Sequence, residues 1–168
     1  SREALAAIRA AEPVDAVDLV TATDLGAELE LALEEHDAQL HLRDLNVIAS
    51  PAQDLREIFD LMATDTVDDW AVIATRLGGV SDALDGYIAT LRLGVERRTV
   101  PAVRQVREVA VQARRYARSD GFFAKLAANA TPASGELPAS LRNDLQRAAA
   151  DAAAGDAKFA EVPEGELA

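Results

Sequence analysis

Apolar residues recur along this chain at three- and four-residue steps, the period of a helix that buries one face. Arg2–Ala11 read as a short helix halted before Pro13. From Val14 to about Gln39 the step is kept by Val17, Val20, Leu25, Leu29, Ala32, Leu33 and Leu40. Asp24, Glu28, Glu30, Glu34 and Glu35 fill most other positions, so an amphipathic helix is predicted, with Gly26 a tolerated cost. His41–Ala49 lacks the period and reads as an extended crossing segment. Ser50 and Pro51 then open a helix: Ser50 can cap it, proline suits the first turn, and Gln53 completes a capping-box pattern. Leu55, Ile58, Phe59 and Met62 form its apolar stripe.

Thr66-Val67-Asp68-Asp69 is a second helix start, with acids where the helix dipole favours them. Trp70, Ile73, Ala74 and Leu77 follow on one face until Gly78-Gly79. Ser81 is expected to cap a helix bearing Leu84, Tyr87, Ile88, Leu91 and Val95. Pro101 is expected to start the most regular element, in which Val103, Val106, Ala110, Ala113 and Ala117 form the stripe and Val111 falls on the polar side. Burial of Val111 would mean a second layer over that face. A short apolar turn (Phe122, Phe123, Leu126) and a loop at Asn129–Glu136 lead to a last helix. It runs from Pro138 through Leu141, Leu145, Ala148, Ala149, Ala152 and Phe159, is weakened at Gly155, and stops before Pro163. No period-2 strand series and no internal repeat stands out. The fold class is therefore all-α, an antiparallel array of about seven helices in one domain over residues 1–168.

Composition narrows the field further. Apolar residues make up 49% of the 168, aromatics 4% and cysteines none, so helices must pack closely on alanine, with no disulfide and no thiolate chemistry. No run reaches the ~18 apolar residues of a membrane span and no signal-like segment opens the chain, so a cytoplasmic protein without membrane contact is expected. A net charge of −12 argues against nucleic-acid partners. The charge is uneven: from Arg92 to Arg118 eight arginines face two glutamates, a local +6. That stretch is a solvated face, a docking surface for acidic helices, or a phosphate or carboxylate site, and Arg104, Arg107, Arg114, Arg115 and Arg118 are its candidate docking or anion-binding residues.

Catalytic patterns are weak. His36 and His41 stand five apart, which turns the second imidazole by roughly 140° from the first on a helix. A zincin pair needs a spacing of four with a glutamate between, so no metal ligand and no catalytic residue is assigned. Adjacent acids such as Glu34-Glu35 and Asp68-Asp69 are expected by abundance, and Gly78-Gly79 lacks the Lys-Ser/Thr of a phosphate loop. Arg43, Asp44 and Asn46, set between apolar residues of a non-helical stretch, are the remaining candidates. They either satisfy loose backbone groups or line a cleft.

The segments RDLNVIASP (Arg43–Pro51), FDLM (Phe59–Met62), DTVDDWAVIATRL (Asp65–Leu77) and LRLGVERRTVPAVRQV (Leu91–Val106), in this order, resemble the N-terminal helical region of the bacterial domain-of-unknown-function family 885, in its actinobacterial style. The similarity covers nearly the whole chain. It implies a longer all-helical parent similar to gluzincin-type zinc metallopeptidases, with a histidine-rich motif on a later helix and the N-terminal helices as one wall of a substrate channel. This chain departs from the pattern in lacking that motif, and Leu93 and Gly94 stand where the family has an LREG-type acid. The resemblance thus implies no cofactor in this segment, zinc in the parent alone, and the rest of the parent polypeptide as partner. Two rival readings remain: an autonomous interaction module docking through its arginine helix, with a homo-oligomer open, and a small enzyme using His36 and nearby acids.

Overall fold

The computed structural model describes residues 1–133, 135–162 and 165–166. Among them the regular elements are eight α-helices and two 3-10 turns, with no strand, as the periodicity predicts. Packing divides the chain into two units, Ser1–Leu42 and Arg43–Ala168.

The first unit is a helical pair, α1 (Arg2–Ala10) and α2 (Ala16–Asp37). Asp15 starts α2: its carboxylate accepts the Val17 and Asp18 N–H groups, both at 2.9 Å, satisfying donors that the first turn leaves free. The nine residues of α1 pack against α2. Exposed ion pairs, Arg2–Asp37 at 2.6 Å and Arg9–Glu30 at 2.5 Å, tie the two together, though such pairs add little stability. Ala22, Gly26, Leu29 and Leu33, spaced four, three and four apart, form the one stripe of α2 drawn away from solvent, and of its 22 residues Gly26 alone is buried. The expected amphipathic pattern is therefore corrected. Val17, Val20 and Leu25 are 72%, 59% and 46% exposed, because a single short neighbour covers a single stripe.

The second unit is built around one helix. Its elements are α3 (Pro51–Glu57) with a 3-10 turn at Ile58–Asp60, α4 (Val67–Gly78), α5 (Val80–Glu96), α6 (Val103–Tyr116), α7 (Phe122–Ala128) and α8 (Ala139–Val162). The last packs against α4, α5, α6 and α7. Leu145, Ala148, Ala149, Ala152, Gly155, Phe159 and Ala160 of α8 are buried, a stripe of small residues that lets neighbouring backbones come close. Gly155 shows how close: a Cβ there would lie 3.0 Å from Ser81 Cα and 3.2 Å from its Cβ, so the residue read as a weak point in α8 is where α5 meets it. Gly121 is similarly confined, since a Cβ would stand 2.3 Å from the Tyr116 carbonyl oxygen. Ile73, Leu77, Leu84, Leu91, Val106, Phe123 and Phe159 complete a core in which Phe159 stacks on Tyr87 at 5.5 Å.

Local signals fared unevenly. Thr66 and Asp69 form the capping box their spacing suggests: Asp69 N–H donates to Thr66 Oγ1 at 3.1 Å, and Thr66 N–H to the Asp69 carboxylate at 2.8 Å. Hydrogen bonding of the carboxylate by the Thr66 side chain, and next by the Thr66 N–H, holds Asp69 below the usual carboxylate range. Ser50 occupies the cap position of α3 without capping, because its hydroxyl is turned to the Gln53 side chain. Ser81 does not cap α5 either. The helix begins at Val80, two residues earlier than a Ser81 cap would set it, after Gly79, whose φ of −90° and ψ of −6° carry the chain from α4 into α5 almost without a break. Pro101 precedes α6, which starts at Val103. Val111 is 49% exposed, so among the described residues no second layer covers that side, and Val103 and Val95 are likewise open at 44% and 38%. Ser134 in the expected loop, and the stop at Pro163, lie outside the described residues.

Candidate functional site

The non-helical stretch after Arg43 is held in place by side chains from two helices, α5 and α6. Asn46 organises the turn itself: its carbonyl oxygen accepts the Ile48 and Ala49 N–H groups, both at 2.8 Å, and its amide donates to the Ala49 carbonyl at 2.6 Å. An Asn folding its side chain onto the following backbone is a common way to stabilise a tight loop. Val47 is gripped from α6, its N–H donating to Gln105 Oε1 at 3.0 Å and its carbonyl accepting from Gln112 Nε2 at 3.1 Å. The Tyr87 hydroxyl of α5 donates to the Asp44 carbonyl. Burial pushes that phenol well above its ordinary range; Asp44 and Asp54 add to the rise and Ser50 opposes it. The side chains of Arg43 and Asp44 point to solvent, so of the three candidates Asn46 has a defined structural task and Asp44 contributes through its backbone.

Below this loop runs a buried polar chain that the periodicity did not single out. The Ser50 hydroxyl donates to Gln53 Oε1 at 2.6 Å, and Gln53 Nε2 donates to Gln112 Oε1 at 2.7 Å. Gln53 and Gln112 border a narrow crevice with Val109, Tyr116 and Asp156 of α8. Asp156 is 5% exposed and its Oδ2 has no hydrogen-bond partner. Desolvation raises its pKa to about 7, so near neutrality it is partly a neutral acid. Its position was readable in principle, since Ala152, Asp156 and Phe159 step by four and three along the core stripe of α8. A polar residue on such a stripe is the informative exception.

The arginine candidates do not converge on this crevice. Arg104, Arg107, Arg114, Arg115 and Arg118 all lie exposed on or just beyond α6. Arg118 pairs with Asp120 at 2.7 Å, which keeps that carboxyl low. Arg92, at the start of the same basic run, holds Glu166 through two bonds of 2.8 and 2.7 Å. In the first unit His36 and His41 stack face to face, ring centres 4.8 Å apart, both exposed. Among the described residues no three His, Asp or Glu side chains gather closely enough to hold a metal ion. The histidine pair, with no third ligand beside it among the described residues, does not fit a zinc ion, and the family resemblance implies zinc in the parent alone. No described helix is long and apolar enough to cross a membrane.

What these features define is an all-helical region with a pinned loop, a buried acid and a basic outer face. The chain belongs to the family described as bacterial protein of unknown function (DUF885), whose model matches residues 1–168. No curated protein matches it in sequence.

Proposed function

We propose that the chain serves as a non-catalytic helical scaffold in a larger peptidase-like, metal-dependent hydrolase, where it forms a wall of the substrate channel. The observation that carries this reading is α2, which keeps Val17, Val20 and Leu31 at 72%, 59% and 52% exposure along its length. Exposed apolar side chains grouped along one face of a helix mark a surface suited to covering by other polypeptide. In this reading zinc is held by residues outside the segment, and the loop pinned by Gln105, Gln112 and Tyr87 gives the wall a fixed edge. The purified chain should then carry no stoichiometric zinc and hydrolyse no peptide. Metal-dependent turnover that disappears in His36→Ala would overturn the proposal and favour the small-enzyme reading. A second reading, docking through α6, is favoured by Arg104, Arg107 and Arg115, which are exposed and make no ion pair among the described residues.

A further inference from the structure

The two outward faces described above are opposite in charge and alike in pattern. The first unit carries two arginines against ten acids, a net −8. On α2, the side turned away from the Ala22–Gly26–Leu29–Leu33 stripe presents Asp24, Leu31 and Glu35, as 100° per residue requires. On α6, the side turned away from Val106, Val109, Ala110 and Ala113 presents Arg104, Val111 and Arg115. In both triplets the apolar residue follows the first charge by seven positions and precedes the second by four. Leu31 and Val111 are 52% and 49% exposed, and neither Asp24, Glu35, Arg104 nor Arg115 has an ion-pair partner among the described residues.

We infer that α2 of one copy docks along α6 of a second copy, acid to arginine at both ends and Leu31 against Val111 between. The inference rests on the docking reading of α6 and names its partner; it gives the Leu31 face of α2 to a second copy where the scaffold reading gives it to the parent polypeptide, and the hydrolysis assay judges that reading separately. Self-pairing of two α2 faces is disfavoured, since it would set one net −8 unit against another. One helix-on-helix contact falls short of the ~1,200–2,000 Å² typical of a specific interface, so the association is expected to be weak and carried by charge.

Sedimentation equilibrium on the full chain tests this. The wild type should form a dimer at micromolar concentrations whose dissociation constant rises about tenfold between low and high salt, as screening of exposed charges requires. Asp24→Arg with Glu35→Arg, and separately Arg104→Glu with Arg115→Glu, should each yield monomers of unchanged helicity. Mixing those two variants should restore a dimer, because each then offers the face that the other lacks, and combining all four changes in one chain should restore self-association. A wild type that stays monomeric overturns the pairing, as do charge reversals that leave the dimer intact. Reversals that shift the unfolding midpoint at constant monomer mass overturn it too.

Discussion

The two units are made from the same materials and reach different ends. Both are alanine-rich helices with leucine and valine at helical steps, yet within the second unit four helices pack on α8, while within the first unit α2 packs on the nine-residue α1. Period alone therefore does not make a core. Each apolar stripe needs a partner of matching length, and α8 has partners on several sides because its small residues admit them. Along α2, apolar residues lie on nearly every side and acids between them, so no single neighbour could cover it. Stability should follow coverage rather than hydrophobicity, and that contrast can be tested residue by residue.

The largest effect is expected at Phe159. It is fully buried in α8 and stacked on Tyr87, with ring planes 22° apart. Phe159→Ala removes that stack and leaves a cavity among atoms that cannot close over it, costing about 3–5 kcal/mol. Urea titration followed by circular dichroism would measure it. A loss under about 1 kcal/mol would mean that the second unit is not organised around α8.

Next in size is the pH dependence set by Asp156. Its folded pKa of about 7 stands above the value near 3.8 of an unburied aspartate. Below pH ~4 both folded and unfolded chains hold the proton and nothing is lost. Between about 4 and 7 only the folded chain keeps it, so stability falls as pH rises, by roughly 4 kcal/mol in all, and the full penalty persists above 7. Asp156→Asn removes that charge cost but leaves amide N–H groups in need of partners, worth about 1–3 kcal/mol. A net gain of about 1–3 kcal/mol is expected at pH 8, with a flatter profile from pH 5 to 8. A variant whose stability tracks the wild type at every pH would remove Asp156 from the account of the second unit.

The sequence revealed where helices lie more readily than which of their faces are covered, and the reason is physical. A helix announces itself through spacing, which is local, and Thr66 with Asp69 shows a start signal that acts wholly within its own turn. Coverage depends on what arrives from elsewhere in the chain. Gly155 looked like a weak point because its use, a close approach by Ser81, lies 74 positions away. The same holds for the loop. Asn46 acts on backbone two and three residues ahead, in keeping with the reading that polar side chains there satisfy loose backbone groups. Its anchors Gln105 and Gln112 lie 58 and 65 residues from Val47 and gave no local sign. Ser50 failed as a cap for a related reason: Gln53, tied to Gln112, drew the hydroxyl into the tertiary network.

The smallest effect sharpens the contrast most. Leu31 is as apolar as Leu145, but Leu31 is 52% exposed on α2 while Leu145 is 0% exposed on α8. Within a single chain, Leu31→Ala removes a half-exposed side chain and replaces leucine with a slightly better helix former. Its unfolding free energy should stay within about 0.5 kcal/mol of the wild type, against about 3–5 kcal/mol lost in Leu145→Ala. Under the inferred pairing of α2 with α6, Leu31→Ala should weaken association severalfold without changing the stability of the single chain. One residue would then be silent in folding and felt in assembly, as a face made for a partner requires. If Leu31→Ala instead destabilises the monomer by more than 2 kcal/mol, α2 is already covered within a single chain, and the division between a self-sufficient unit and an open one does not hold.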